Sequence, residues 1–245
     1  MRSLTYFISD IHLGATYIKN PRAHEKAVVA WLRSIAPTAK ALYLLGDVLD
    51  YWYEYREVVP RGYTRFFGAL AELADSGVEI TWFKGNHDIW IFDYLPAEIG
   101  MKVIDGALDT TIDGARFFME HGDGVGESRP SYRRMRAIFR NRFCQRLFSA
   151  IHPRWTVPFA HRWSSHSRST GTAADSTLPD SHRLVRFTQD YMTANGHVDF
   201  FVFGHLHIAV DKIIAPDSRL IVLGDAYCNM TYGVFDGTRF ELKKI

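Results

Sequence analysis

The sequence predicts a mixed α/β protein, on three observations. Short apolar runs that read as buried strands recur at Leu4–Ile8, Ala41–Leu45, Val78–Phe83, Ala115–Glu120 and Val198–Phe203. Stretches with apolar residues at helical spacing alternate with them, at 23–35, 63–75 and 182–195. Composition is that of a globular protein, 47% apolar and 14% aromatic, and no apolar run approaches the ~20 residues that span a bilayer.

Taken in order, the first strand runs into Ser9-Asp10-Ile11-His12. Asp10 and His12 are two apart, so an extended chain projects them to one side. Val28, Trp31, Leu32 and Ile35 give the helix at 23–35 one apolar face. The second strand ends in Gly46-Asp47, with Asp50 three residues on. A carboxylate at the end of a buried strand is costly to desolvate unless something positive meets it. Next comes Tyr51-Trp52-Tyr53-Glu54-Tyr55, too aromatic for an ordinary loop and suited either to a pocket wall or to core packing. The helix at 63–75 stops at Ser76-Gly77, and the third strand leads into Gly85-Asn86-His87-Asp88. Asn86 offers a neutral oxygen, His87 a proton near neutral pH, and Asp88 a carboxylate to orient it.

Asp113-Gly114 between apolar runs marks a hairpin, whose second strand delivers His121-Gly122-Asp123. From Ser131 to Ala150 the spacing predicts one amphipathic helix, with Met135, Ile138, Phe139, Phe143 and Leu147 opposite five arginines. Residues 152–181 read as an irregular loop or lid, and 182–195 as a helix ending at Gly196. The strand at 198–203 runs into Gly204-His205-Leu206-His207, and strands and turns follow, with a second hairpin at Asp236-Gly237.

The length of 245 residues fits one domain spanning 1–245, with a basic insertion at about 125–195. Net charge is +2, yet Arg129 to Arg168 holds ten Arg and no Lys, Asp or Glu, a local +10 that leaves −8 elsewhere. Such a single-sign field points to an anionic partner. The N-terminus lacks a signal-peptide pattern, and Cys144 and Cys228 have no metal or redox spacing. Both features predict a cytoplasmic protein with reduced thiols.

Asp10, His12, Asp47, Asn86, His121, His205 and His207 all stand at strand ends. Carboxylate, imidazole and amide oxygen together suit Mn, Fe, Zn or Co. Seven ligands are too many for one ion and fit two that share Asp47. Two-metal hydrolases hold their ions ~3.5–4 Å apart and lower the pKa of a bound water, so that hydroxide is available for in-line displacement.

Asp-x-His, Gly-Asp-x-x-Asp, Gly-Asn-His-Asp, His-Gly-Asp and Gly-His-x-His occur in that order. This succession resembles the calcineurin-like metallophosphoesterase superfamily over residues 8 to about 230. The resemblance implies a four-layer αββα sandwich with a helical insertion and a dinuclear site. It also implies that Asp10, His12, Asp47 and His207 hold one ion, and Asp47, Asn86, His121 and His205 the other. His87 would protonate the leaving group or stabilise phosphoryl oxygens, with Asp88 as its partner.

Within the superfamily the chain is most similar to the UDP-2,3-diacylglucosamine pyrophosphohydrolases of lipid A synthesis. The similarity rests on the basic insertion, on Tyr132 at the family's spacing after His-Gly-Asp, and on Ser164-Ser165-His166-Ser167-Arg168. It implies a manganese enzyme at the inner face of the cytoplasmic membrane. Cleavage of the substrate's pyrophosphate would give UMP and 2,3-diacylglucosamine 1-phosphate, with Asn86, His87, Asp123, Tyr132, Ser165, Arg168 and His205 contacting substrate. The best-known branch has Arg in place of His87 and Glu in place of Asp50. A phosphodiesterase or pyrophosphatase for another nucleotide or phospholipid is the alternative enzyme, and a non-catalytic metal-binding scaffold the alternative class.

The Arg-rich helix has three readings: an amphipathic element packed on the core, a nucleic-acid contact through phosphates, or a surface for anionic lipid headgroups. A basic patch beside a phosphoryl-transfer site fits a lipid-linked nucleotide-sugar and an anionic membrane better than nucleic acid.

Overall fold

The computed structural model describes residues 2–160 and 177–245. Ser165, Arg168 and the rest of the Ser-rich segment lie outside the described residues, as does the middle of the stretch read as a lid.

The chain runs β1 (Leu4–Ile8), α1 (Pro21–Ile35), β2 (Ala39–Leu44), α2 (Thr64–Asp75), β3 (Glu79–Phe83), α3 (Tyr94–Ile99), β4 (Lys102–Ile104), β5 (Leu108–Ile112) and β6 (Ala115–Glu120). The insertion follows as α4 (Pro130–Arg140), α5 (Arg142–Ser149) and a helical stretch at 153–160 (α6). Then come α7 (Arg183–Asn195), β7 (Phe200–Phe203), β8 (Ala209–Ala215), β9 (Ser218–Leu223), β10 (Thr231–Phe235) and β11 (Phe240–Lys244).

Two mixed sheets form, in the orders β11-β10-β1-β2-β3-β4 and β5-β6-β7-β9-β8. Strands β1 to β4 pair in parallel, as do β6, β7 and β9. The alternation of side chains along a strand then explains the layering. From β1, Phe7 points between the sheets and stacks on Phe117 of β6 at 5.7 Å, in a layer with Phe83, Phe200, Phe235 and Phe240. Its neighbours Tyr6 and Ile8 face the other way, against Val28, Leu32, Phe66 and Leu70 of α1 and α2. On the second sheet Phe118, Phe201 and Val222 face outward onto Leu184 and Val185 of α7. The result is an αββα sandwich in which each buried ring contributes ~1.5–3 kcal/mol.

Two expectations are corrected: residues 153–160, read as part of an irregular loop over 152–181, are helical, and the long helix before them is not continuous. The helix read over Ser131–Ala150 is two helices, broken at Asn141, whose backbone is extended (φ −73°, ψ 120°). Its side chain accepts from the amides of Phe143 and Cys144, so an N-cap interrupts the apolar periodicity. Neither α4 nor α5 fully buries a residue: Phe139 and Phe148 pack half-buried against Trp90 and Tyr53, and Ile138, Phe143 and Leu147 stay exposed. Among the described residues no helix is long and apolar enough to cross a membrane.

Candidate metal centre

Parallel pairing brings the C-terminal ends of β1, β2, β3, β6, β7 and β9 to one edge of the sandwich, where open α/β sheets place ligands. The loops there are laced together by backbone hydrogen bonds: Asp10 N–H to Gly46 O, His12 N–H to Asp47 O and Gly204 N–H to His121 O. Two glycines permit the approach. A Cβ on Gly85 would lie 2.2 Å from Asp47 Oδ1, and one on Gly46, at φ +83°, would meet His121 Nδ1 at 2.6 Å.

Five residues at this edge sit in the left-handed region: Asp10 (φ 51°), His12 (50°), Asp47 (51°), His205 (68°) and His207 (56°). Such a conformation costs ~1–3 kcal/mol per non-glycine residue and persists where the surroundings enforce it, most often at functional sites. All five are residues that the sequence nominates as metal ligands.

Their side chains form two donor groups. Asp10, His12 and His207 offer atoms within 4.8 Å of one another, and so do Asp47, His121 and His205. Asp47 also joins His12 and His87 in a third group, which makes it the shared carboxylate. Its Oδ2 lies 3.3 Å from His121 Nε2 and 3.8 Å from His12 Nε2. Asn86 Oδ1 comes within 3.3 Å of His121 Nε2.

Two observations test the fit of cations to these donors. Asp10 Oδ1 is buried with no hydrogen-bond partner, although it faces His207 Nε2 at 3.5 Å and His12 Nε2 at 3.7 Å. A buried carboxylate oxygen in that state calls for a positive charge. His121, in turn, donates from Nδ1 to Leu45 O at 2.7 Å, which turns Nε2 toward Asp47 and matches the way ligating histidines are held.

Charge follows the same logic. Burial alone would raise Asp47, but His121, His87 and His12 outweigh it and hold its carboxyl well below the usual carboxylate range. Asp10 is likewise lowered against burial by His207, His12 and His121. Burial disfavours a charged His121, yet the Asp47 carboxylate beside it raises its pKa well above the ordinary value. His205, buried and next to His121, is pushed down to about 4 and keeps a neutral ring with a lone pair for a metal.

A layer of partners surrounds these groups. Asp88, expected to orient His87, instead accepts from the amides of Gly85 (2.7 Å), Val48 (2.9 Å) and Asp47 (3.3 Å), and from the Trp82 indole (3.1 Å). It therefore clamps the β2 and β3 loops against each other. Burial and the Asp47 charge push its pKa up to about 6. His87 is oriented by Asp50: its Nδ1 donates to the Asp50 carbonyl at 3.0 Å and lies 3.8 Å from Asp50 Oδ1, while Nε2 turns inward, 3.9 Å from Asp47 Oδ2.

A further loop escaped the sequence reading. Asp225 accepts from the amides of Tyr227, Cys228 and Asn229. Asn229 Nδ2 donates to His207 O, and Tyr227 OH lies 3.3 Å from His207 Nδ1. The signal was present, since Leu220–Leu223 followed by Gly224-Asp225 repeats the strand–Gly–Asp form of Gly46-Asp47.

The insertion forms a cap fastened beside the cage. Asp123, buried next to His121 and His205, accepts from Tyr132 OH at 3.1 Å and Arg136 Nε at 3.0 Å. Arg140 bonds Asp105, the Trp90 indole donates to Phe139 O, and Tyr53 OH donates to Gln145 O at 2.7 Å. The aromatic run at 51–55 thus divides its work. Trp52 is core, whereas Tyr53 and Tyr55 reach α5 and α6.

Residues 4–209 match the calcineurin-like phosphoesterase family model. A UDP-2,3-diacylglucosamine hydrolase of Porphyromonas gingivalis is 41% identical over 258 residues, covering 100% of this chain and 98% of the relative. One from Ralstonia nicotianae is 27% identical, covering 82% and 76%. Among solved structures, a dimetal phosphatase of Danio rerio aligns over 98% of this chain and 95% of its own, at 14% identity and a TM-score of 0.47. With the family model spanning most of its length, and the motif residues gathered at one sheet edge, the chain belongs to the calcineurin-like phosphoesterase family.

Proposed function

We propose that this protein is a metal-dependent hydrolase that cleaves the pyrophosphate of UDP-2,3-diacylglucosamine to UMP and 2,3-diacylglucosamine 1-phosphate. The observation that carries the reading is a cage of donors sharing Asp47 beneath a basic cap, in a chain that aligns end to end with a hydrolase of that name. Asp10, His12, Asp47 and His207 would hold one divalent cation, and Asp47, Asn86, His121 and His205 the other, with Mn²⁺ as the metal. When bound, the pair supplies Lewis-acid charge to the phosphoryl oxygens and acidifies a water near neutral pH.

The chain's own residues do the rest. His87 is held by Asp50 with Nε2 facing the cage, so its protonated ring can donate to the leaving oxygen. Asn86 and His205 border the reacting phosphoryl group. Asp123 and Tyr132 carry the cap's first helix and line its underside, and Ser165 and Arg168 are assigned to substrate with them.

The cap also supports contact with an anionic membrane on its cytoplasmic side. Ile138, Phe143, Leu147, Ile151, Trp155 and Phe159 are exposed, Phe143 and Trp155 at 69% each. Arg133, Arg134, Arg142, Arg146 and Arg154 are exposed among them. Apolar and cationic groups on one surface suit the headgroup boundary of a bilayer.

Incubation of the purified protein and Mn²⁺ with UDP-2,3-diacylglucosamine tests the assignment. UMP release, with soluble UDP-sugars cleaved far more slowly, is the expected result. Equal rates on the two, or turnover of a chromogenic diester without turnover of the lipid, would transfer the activity to another phosphoester.

A further inference from the structure

The site has two dissimilar ends. Cap contacts fall on the loops after β2, β3, β4 and β6, at Tyr53, Trp90, Asp105 and Asp123. Of these strands, β3 and β4 end one sheet and β6 stands second from the end of the other. Toward the other end, the loop after β9 carries Tyr227 beside His12 and His207, and the loop after β1 carries Tyr17 against Tyr227.

The two rings pack at 5.5 Å with an interplanar angle of 58°. Tyr227 is half-buried, edge-on to His12 at 6.0 Å and packed against His207 at 5.7 Å. Tyr17 is 36% exposed. Both are tied to the ligand loops. Ala15 N–H bonds His12 O and Ile18 N–H bonds Ala15 O, which fixes the turns that present Tyr17. Ala226 N–H bonds Asp10 O, and Asp225 Oδ1 accepts from Tyr227 N–H.

We propose that Tyr17, braced by Tyr227, is the stacking platform for the nucleobase of the substrate. The inference rests on the reading that a nucleotide is cleaved here, and it goes beyond that reading by naming where the base binds. A lipid-linked nucleotide has a pyrophosphate between an apolar half and a polar, aromatic half. With the pyrophosphate on the cage and the acyl half at the apolar, basic cap, the nucleoside must leave toward the tyrosine end. An aromatic face held by its own backbone turns is pre-organised for a planar base, and stacking of this kind tolerates any base because each has a π-face.

Calorimetric titration of UMP and of inorganic phosphate into the Mn²⁺-loaded protein tests the platform, for wild type, Tyr17→Leu and Tyr17→Phe. Wild type should bind UMP more tightly than phosphate. Tyr17→Leu should weaken UMP about 5- to 150-fold, the span that loss of one base–ring stack produces. Tyr17→Phe should restore it, and phosphate should bind alike throughout. Unchanged UMP affinity in Tyr17→Leu overturns the proposal, and so does an equal loss for UMP and phosphate, which would report damage to the cage. The two readings fail separately. Tyr17-dependent UMP binding without cleavage of the lipid would sink the substrate assignment alone, whereas cleavage with UMP binding indifferent to Tyr17 would sink the platform alone.

Discussion

The floor of the site and the cap above it are built on opposite terms. On the floor, Asp10, His12, Asp47 and His121 are almost fully buried, with accessibilities of 0–1%. Four of the ligand positions there besides Asp47 hold left-handed backbone, and Asp88 alone satisfies four buried donors. In the cap, α4 and α5 bury no residue fully: Phe139 and Phe148 pack half-buried on Trp90, while Ile138, Phe143 and Leu147 are exposed. The floor spends stability on fixed geometry, which two-metal chemistry requires. The cap leaves apolar surface exposed, the feature on which the proposed membrane contact rests.

The most damaging change to the floor is Asp47→Ala. Elemental analysis should fall from about two ions per chain to almost none, with turnover lost. Retention of one full ion would mean that the two donor groups are independent. Next, His87→Ala should keep both ions and slow hydrolysis ~10²–10⁴-fold, and loss of metal in this variant would make His87 a ligand instead.

Asp88→Ala should leave buried amides and the Trp82 indole unmatched, at a cost of ~1–3 kcal/mol for each stranded donor, read from denaturant unfolding. A variant as stable as wild type would refute the clamp. The pKa of His121 lies above its ordinary value, so the metal-free protein carries that proton at neutral pH and a cation must displace it. Metal affinity should therefore climb with pH, about tenfold per unit while one proton is released, and level off once His121 is neutral. A pH-independent affinity would contradict the charge balance drawn above.

The smallest expected effect on stability comes from the cap. Phe143→Ser with Leu147→Ser should change unfolding free energy by no more than ~0.5 kcal/mol per substitution, while binding to anionic vesicles drops. Destabilisation by several kcal/mol would show that these side chains are packed.

How far the sequence could be read divides along the same line. Strand runs such as Leu4–Ile8 and Val198–Phe203 announced the α/β class because parallel strands buried on both faces are apolar throughout. The ligand residues were legible because each stands directly after such a run. Partners set by three-dimensional closure were not. Asp88 and Asp50 are equally plausible neighbours of His87 in the sequence, and only the approach of the β2 and β3 loops assigns one to the amides and the other to the imidazole. Short elements also escaped, since α3 has six residues with Pro96 in its first turn and β4 has three. In the cap, apolar periodicity ran straight through Asn141, and one side-chain cap outweighed it.

Anomalous diffraction from crystals grown with Mn²⁺ reaches the central claim most directly. Two peaks ~3.5–4 Å apart should flank Asp47, one among Asp10, His12 and His207 and the other among Asn86, His121 and His205. A single peak, or peaks that leave Asp47 uncoordinated, would contradict it.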